Sequence, residues 1–132
     1  MPAITTAAVI KKENLFLLAK RPAGGSMGGR WEFPGGKAER GESPEEALKR
    51  EIREEFEVEA RVGRRLLSVT FSNKDKNYRL LVFEVLLETE DLSLLEHAEI
   101  RWIPFPDIGS LDLADSDRRV FELLSDQITE PG

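Results

Sequence analysis

The sequence contains no cysteine and a single histidine among its 132 residues. Without cysteine the chain can form no disulfide, no thiolate nucleophile and no zinc–sulfur site. It also lacks an apolar run of the roughly 20 residues that a membrane-spanning helix needs. No basic residue precedes the mild apolar stretch at positions 1–10, as a secretory signal would require. We therefore expect a cytoplasmic protein without a membrane partner.

Positive charge is in deficit, because 19 lysines and arginines stand against 25 aspartates and glutamates, giving a net charge of −6. Such a chain lacks the broad positive field that binds long nucleic acids, so we expect no polymeric nucleic acid as its main partner. Its 40% hydrophobic and 33% charged residues are typical of a globular protein. The length fits one domain, which we expect to span residues 1–132.

The charges are unevenly distributed along the chain. Between residues 20 and 40, five basic side chains stand against two acidic ones, whereas between residues 41 and 60 eight glutamates stand against three basic side chains. A positive segment that runs directly into a negative one is unusual for a simple solvated surface. It suits a site that must hold both an anion and a cation.

Five segments rich in β-branched, leucine and aromatic residues are predicted to be strands. They span residues 4–10, 15–19, 66–71, 78–87 and 100–103. Polar clusters at residues 11–14 and 73–77 predict hairpin turns between neighbouring strands. With two helices described next, this pattern predicts a layered α/β or α+β fold.

Two helices are indicated by their starting residues. The first has Ser43 as its cap, Pro44 as its first residue and Glu46 completing a capping box, and it runs to about residue 56. The second begins between Asp115 and Asp117 and carries a buried apolar stripe.

The first helix carries both an apolar stripe and an acidic face. The stripe consists of Leu48, Ile52 and Phe56, and the acidic face of Glu51, Glu54 and Glu55. Carboxylates three and four residues apart repel one another along a helix. Part of this repulsion is offset if Arg50 reaches Glu54, but a hard divalent cation such as Mg²⁺ offsets it better, since it prefers carboxylate oxygens.

A glycine turn, Phe33-Pro34-Gly35-Gly36-Lys37, lies just upstream of this helix. Glycines allow the backbone to approach a ligand closely or to present a carbonyl to a metal ion. Lys37 and the nearby arginines can neutralise phosphate groups. Together with the acidic helix, the turn indicates a site for a metal ion and a phosphate.

The segment from Gly36 to Val58 resembles the Nudix box, whose pattern is G-x5-E-x7-R-E-U-x-E-E-x-G-U with U aliphatic. Six strictly specified residues match, together with both aliphatic positions. They are Gly36, Glu42, Arg50, Glu51, Glu54 and Glu55. One position departs, because Glu57 stands where the family has glycine. Glycine there suits a left-handed helix stop, and glutamate would cost about 1 kcal/mol without removing a ligand.

Residues outside the box resemble the MutT-type branch of the Nudix hydrolases, which cleans nucleotide pools. They are Lys20-Arg21, the segment from Trp31 to Lys37, and Ala114-Asp115 at the start of the last helix. The resemblance implies a mixed β-sheet sandwiched between helices. It also implies hydrolysis of a nucleoside triphosphate, for example a modified or oxidised one, to the monophosphate and pyrophosphate. The implied cofactor is Mg²⁺, with Mn²⁺ as its substitute.

The same resemblance implies roles for individual residues. The metal ligands are Glu51, Glu54, Glu55 and a backbone carbonyl at Gly35 or Gly36. The catalytic residues are Glu51, Glu54 and Glu96, with either Glu51 or Glu96 as the base that takes a proton from water. The nucleotide-binding residues are Arg21, Glu32, Phe33, Pro34, Gly35, Lys37 and Asp115. Gly36, Glu42 and Arg50 are structural, the last two bracing the loop against the helix.

Some residues have competing interpretations. Asp115 either caps the last helix, for which aspartate is well suited, or recognises the base edge; an ionised carboxylate only accepts hydrogen bonds and would favour an exocyclic amino group. Trp31 is expected to be a buried strand residue. His97 is expected at the surface, since nothing in the sequence gives it a partner.

The box specifies the diphosphate linkage and not the group attached to it. ADP-ribose, a nucleotide sugar or a dinucleoside polyphosphate is therefore an alternative substrate. A catalytically silent Nudix domain that senses a nucleotide is another alternative, against which the intact carboxylates argue. We expect a nucleotide as the partner and a monomer or a homodimer as the assembly.

Overall fold

A mixed β-sheet forms the centre of the computed structural model, which describes residues 3–25 and 27–129. Its strands are β1 (Ala3–Lys12), β2 (Leu15–Lys20), β3 (Trp31–Glu32), β4 (Ala60–Asn73), β5 (Lys76–Leu87) and β6 (Glu99–Pro104). The helices are α1 (Pro44–Phe56), α2 (Phe105–Ile108) and α3 (Asp115–Thr129). Among the helices in these described residues, none has the length and apolar character needed to cross a membrane.

The strand order is β3-β2-β1-β5-β4, and β6 pairs with β2. β1 and β5 run parallel from the pair Ala3–Tyr78 to the pair Ile10–Val85, whereas the other strand pairs of the described residues are antiparallel. A parallel pair requires a long crossover connection. Here α1 lies within that crossover, which places it against the sheet.

Hydrophobic residues on the two faces of the sheet form two cores. Because successive side chains of a strand point to opposite faces, Ala8 and Ile10 of β1 join the core beneath α1, whereas Ala7 and Val9 join the core beneath α2 and α3. The sheet is therefore sandwiched between helical layers, which confirms the predicted fold class.

The predicted strands and turns are present, with strand ends extended by one or two residues and one strand, β4, much longer than expected. β4 begins at Ala60 rather than at residue 66. Its first part is rich in arginine and pairs irregularly with β5, with register shifts between Val62 and Arg65 and again before Leu67. Sequence periodicity does not reveal such a segment, because its strand geometry comes from pairing with β5. The four-residue α2 was not predicted, whereas β3 contains Trp31, which is buried in a strand as expected.

Both ends of α1 have the structures predicted for them. At the start, Ser43 Oγ accepts a hydrogen bond from the Glu46 N–H at 3.1 Å, and Glu46 Oε1 accepts one from the Ser43 N–H at 2.9 Å. At the end, Glu57 adopts the left-handed conformation with φ 59° and ψ 38°, and its N–H donates to the Arg53 carbonyl at 2.9 Å. The helix therefore stops at the position where the family has glycine.

Replacing Glu57 by glycine should stabilise the protein, because glycine has no Cβ to oppose the left-handed conformation. We expect Glu57→Gly to raise the free energy of unfolding by about 1 kcal/mol, or the melting temperature by roughly 3–6 °C. Glu57→Ala removes the same charge but keeps a Cβ, and it should give little or no increase. Equal stabilities for the two variants in thermal unfolding would contradict a backbone origin.

Candidate active site

A cavity of about 930 Å³ opens beside β1, at the end where β3 and α3 meet. Its walls come from the start of β1, the loop after β2, the segment after β3, the loop before β6 and the first turns of α3. Ligand pockets of proteins have volumes of this order. The cavity can therefore hold a molecule of nucleotide size.

Most of the residues that the sequence marks for ligand binding line this cavity. They are Arg21, Glu32, Phe33, Gly35, Gly36, Lys37, Glu55, Glu96 and Asp115. Pro34 is an exception, because it is fully buried and its carbonyl accepts a hydrogen bond from the Ala8 N–H at 2.7 Å. Pro34 therefore binds the loop to β1 and does not line the cavity. Glu51 and Glu54 lie on the adjoining face of α1 and are not part of the cavity lining.

The glycine turn brings the cavity wall close to both β1 and α1. Gly35 has φ 151°, and a Cβ there would overlap the carbonyl of Thr6. A Cβ on Gly36 would overlap the carboxylate of Glu51. The Gly36 carbonyl accepts hydrogen bonds from both the N–H and the hydroxyl of Thr6, each at 2.8 Å. Of the two carbonyls expected as metal ligands, the one on Gly36 is therefore already hydrogen-bonded to Thr6. The Gly35 carbonyl does not make these two bonds.

Arg50 connects the loop before α1 to the acidic face of the helix. Its guanidinium donates to both carboxylate oxygens of Glu42, at 2.7 and 2.9 Å, and to the Lys37 carbonyl at 3.0 Å. It also reaches Glu51 at 3.0 Å and Glu54 at 3.2 Å. The hydrogen bond from Arg50 holds the pKa of the Glu42 carboxyl below its ordinary value. The planar guanidinium thus orients three carboxylates at once.

The carboxylates of the acidic face differ in their surroundings. Glu54 is half-exposed, whereas Glu51 is largely covered. Burial raises the pKa of Glu51 and the hydrogen bond from Arg50 opposes this, while the charges of Glu54 and Glu96 add to the rise. Glu51 is consequently a better proton acceptor than a solvated carboxylate.

Glu55 is the most deeply buried of these acids, with 2% of its side chain exposed. Neither of its carboxylate oxygens makes a hydrogen bond within residues 3–25 and 27–129. Burial raises its pKa to about 9, the charges of Glu32 and Glu51 add to the rise, and the nearby backbone N–H of Gly35 opposes it less strongly. A buried carboxylate without partners is costly. The site therefore favours a cation beside Glu55.

Glu32, Glu55 and His97 form a cluster whose ligand atoms all lie within 4.8 Å of one another. The prediction that His97 lies at the surface is wrong. Its side chain is 5% exposed and stacks on Phe56 with 5.5 Å between ring centroids, and its Nε2 lies 2.8 Å from Glu32 Oε2 and 3.8 Å from Glu55 Oε1. This cluster can hold a divalent cation.

The loop before β6 carries Glu96 and His97 into the cavity by docking on the end of α1. The N–H groups of Ser93 and Leu95 donate to the carbonyls of Phe56 and Glu55, both at 3.1 Å. These bonds satisfy helix carbonyls that have no partner within the helix. No pattern in the sequence predicts this docking, because backbone groups make it.

Asp115 and Asp117, in the first turn of α3, have opposite environments. Asp115 is exposed and pairs with Arg30 at 2.9 Å. Asp117 is buried and accepts a hydrogen bond from the Phe33 N–H at 2.9 Å. Burial raises the pKa of Asp117 to about 8, although the Phe33 N–H opposes the rise. Sequence analysis missed Asp117, since an acid in the first turn of a helix is common.

Asp117 should make the stability of the protein depend on pH. The folded pKa is raised above the ordinary value of 3.8. The stability that the neutral form contributes is therefore present below pH 4 and is lost as the pH rises through 8. We expect Asp117→Asn to gain stability relative to wild type between pH 5 and 8, by up to about 1.4 kcal/mol per pH unit.

Urea unfolding with EDTA at pH 5 and at pH 8 measures this difference. Asp115→Asn is the matched control, because its carboxyl is exposed and the substitution should leave the pH dependence unchanged. If wild type and Asp117→Asn differ by the same amount at both pH values, the buried acid is not the cause.

Comparisons with known proteins identify the family to which the chain belongs. The model of the NUDIX domain family matches residues 1–124. The CTP pyrophosphohydrolase of Escherichia coli (strain K12) is 35% identical over 116 residues, which cover 88% of this chain and 86% of that protein. The 8-oxo-dGTP diphosphatase of Proteus vulgaris is 39% identical over 82 residues, which cover 62% of this chain and 73% of that protein.

Two solved structures share the fold over nearly their whole length. The ORF135 protein of E. coli has a TM-score of 0.84 and 31% identity, with 96% of this chain and 91% of that chain covered. The MutT protein of Methanosarcina mazei Go1 also has a TM-score of 0.84, with 29% identity and coverages of 98% and 97%. The resemblance to MutT-type proteins is thereby confirmed, and the chain belongs to the Nudix family of hydrolases, which cleave phosphorus-containing acid anhydrides.

Proposed function

We propose that this protein is a Mg²⁺-dependent pyrophosphohydrolase that converts a nucleoside triphosphate to its monophosphate and pyrophosphate. The observation that carries the proposal is the buried carboxylate of Glu55, which lines the cavity and has no hydrogen-bond partner for either oxygen among the described residues. The names of two relatives, a CTP pyrophosphohydrolase and an 8-oxo-dGTP diphosphatase, support a triphosphate substrate. Acting on a modified deoxynucleotide, such an enzyme would remove it from the nucleotide pool.

The donor set fits a hard divalent cation. Glu55 would be the central ligand, with Glu51, Glu54 and the Gly35 carbonyl beside it, and Mg²⁺ and Mn²⁺ both prefer such oxygen donors. When bound, the cation would neutralise phosphate oxygens and make a water molecule more acidic. The Glu32–His97 pair holds the Glu55 side of the cavity in place, because His97 contacts both glutamates.

Two basic side chains are placed to bind the phosphate chain. Arg21 lines the cavity and is half-exposed, with its guanidinium 3.7 Å from Glu32 Oε1. Lys37 lines it too, with Nζ lying 5.5 Å from the centre of the Tyr78 ring. Neither has a short ion pair among the described residues, so both retain charge for an anionic ligand. Positioned charges of this kind stabilise the transition state of phosphoryl transfer.

Two carboxylates can take the proton from the attacking water. Glu51 has a pKa raised by burial, which suits a general base, but it lies outside the cavity lining. Glu96 lines the cavity on the loop before β6. Measuring kcat against pH for Glu51→Gln and Glu96→Gln distinguishes the two. The variant that loses the acidic limb of the pH–rate profile identifies the general base.

A pyrophosphate-release assay over a panel of nucleotides tests the proposal. The panel includes the common and oxidised nucleoside triphosphates, ADP-ribose, a nucleotide sugar and a dinucleoside polyphosphate, each with Mg²⁺ and with EDTA. We expect pyrophosphate and a monophosphate from a triphosphate, and only with the metal. Release of two monophosphates from ADP-ribose would support the alternative substrates, and binding without any turnover would support a nucleotide sensor.

Removing the carboxylate of Glu55 or Glu51 should lower kcat by at least about 10²-fold, because charge-stabilising groups contribute on this scale. Glu55→Gln should keep the fold and should also lose the rise in melting temperature that Mg²⁺ produces in wild type. Glu45→Gln is the matched control, since Glu45 is an exposed acid on the first turn of the same helix. Wild-type turnover in both Glu55→Gln and Glu51→Gln would rule out this site.

A further inference from the structure

A nitrogen ligand lies among the carboxylates of the cavity. Glu32, Glu55 and His97 all line it, and ligand atoms of the three lie within 4.8 Å of one another. Only Glu55 belongs to the set of oxygen ligands described above for Mg²⁺. Glu32 precedes the Nudix box in the sequence and His97 follows it. The cluster therefore offers a position for a cation that the box by itself does not provide.

The distances within the cluster suit the ligands of one ion. His97 Nε2 lies 2.8 Å from Glu32 Oε2 and 3.8 Å from Glu55 Oε1. Bonds from histidine nitrogen and carboxylate oxygen to zinc are about 2.0–2.2 Å long, so two ligand atoms of one ion are about 3 Å apart at a right angle and about 4 Å apart when they lie opposite. The observed distances are close to this range. One ion can thus contact all three side chains after small movements.

The cluster lacks both positive charge and hydrogen bonds. The side chains of Glu55 and His97 are 2% and 5% exposed. Within residues 3–25 and 27–129, neither carboxylate oxygen of Glu55 has a hydrogen-bond partner, and Nδ1 of His97 has none either. Arg21 approaches Glu32 at 3.7 Å, but at Oε1, whereas Oε2 faces His97. Because a buried polar atom without a partner costs free energy, a cation between Glu32 Oε2 and Glu55 Oε1 would stabilise the cluster.

His97 lies on a segment that is hydrogen-bonded on both sides. The Leu95 N–H donates to the Glu55 carbonyl at 3.1 Å, and the Ala98 N–H donates to the Lys20 carbonyl at 2.9 Å. These bonds connect the segment to the ends of α1 and β2. The other two side chains lie in β3 and α1, so all three come from supported backbone. Ligands held in this way are in position before the ion arrives.

The imidazole ring of His97 is oriented by packing. It stacks on Phe56 with 5.5 Å between ring centroids and 10° between the ring planes, while Nε2 faces the two glutamates. Histidine ligands of metals usually donate their other ring N–H to an acceptor, which strengthens the metal bond. Nδ1 of His97 has no such acceptor among the described residues. We therefore expect an ion that exchanges with the solvent and is not permanently bound.

A nitrogen ligand changes which ion is preferred. Mg²⁺ takes oxygen ligands and retains several of its waters, whereas imidazole suits first-row transition ions. We propose that Glu32, Glu55 and His97 form a second metal position, which takes a first-row transition ion such as Mn²⁺ and discriminates against Mg²⁺. This inference rests on the proposed function for the oxygen-only position of Mg²⁺, with which it shares Glu55. The two oxygens of that carboxylate allow it to serve both positions.

Pulsed EPR of Mn²⁺ tests the proposal, because it detects the nuclear spin of a nitrogen bound to the ion. Protein without an affinity tag receives less than one equivalent of Mn²⁺ in excess Mg²⁺, which fills the oxygen-only position. His97 is the single histidine of the chain, so ¹⁵N-labelled histidine labels one residue. We expect a ¹⁴N coupling in unlabelled wild type and a ¹⁵N coupling in the labelled protein. The absence of nitrogen coupling in wild type would overturn the proposal.

The variant His97→Gln measures what the nitrogen contributes. Loss of an outer hydrogen-bond partner of a metal ligand already lowers affinity roughly 10–100-fold. His97→Gln should therefore weaken Mn²⁺ binding at least about 10-fold in calorimetry and change Mg²⁺ binding by less than about threefold. Asp91→Asn is the matched control, since Asp91 is an exposed acid earlier in the same loop and outside the cavity lining.

Equal losses of Mn²⁺ and Mg²⁺ affinity in His97→Gln would reject the proposed selectivity, and so would an equal loss of Mn²⁺ affinity in Asp91→Asn. Circular dichroism establishes that each variant is folded. If His97→Gln is not, the isotope comparison in wild type still decides, because it requires no substitution.

Neither measurement depends on turnover, so this inference and the proposed function can fail separately. Nitrogen coupling without pyrophosphate release in Mg²⁺ would support the second metal position and contradict the proposed function. Pyrophosphate release in Mg²⁺ without nitrogen coupling from Mn²⁺ would support the proposed function and reject the second metal position.

Discussion

The burial of acidic groups around one cavity is the constraint on which this structure depends. Carboxylates in a low-dielectric environment repel one another and lose hydration. The protein offsets this on the acidic face of α1, where Arg50 binds Glu42, Glu51 and Glu54. Deeper in the cavity, the carboxylate of Glu55 has no hydrogen-bond partner among the described residues. Arg50 therefore makes the acidic face compatible with folding, while the uncompensated part is left for a ligand.

The sheet supplies the geometry that brings these acids together. Its parallel pair of β1 and β5 requires a long crossover, and the crossover contains the glycine turn and α1. Gly35 and Gly36 then let that turn pack against Thr6 and Glu51 without side chains between them. The site is thus a consequence of the topology and of two residues that lack a Cβ.

Much of this was accessible from the sequence because local rules determine it. The capping box of α1, the left-handed stop at Glu57 and the five main strands follow from short patterns of residues. The burial of His97 and Asp117 was not accessible, since each is buried by a segment distant in sequence. A polar residue gives no local sign of the backbone group or ring against which it will pack.

The end of α1 links the length of that helix to the composition of the cavity. In an α-helix the carbonyl of each residue accepts the N–H four positions later. A helix extended past Glu57 would therefore use the carbonyls of Glu55 and Phe56, which here hold Leu95 and Ser93. The N–H groups of Glu59 and Ala60 would replace those of Leu95 and Ser93, so three added helical residues would release the segment that delivers Glu96 and His97. Termination at this point is a requirement for assembling the site, and it explains why a non-glycine residue tolerates an unfavourable backbone conformation there.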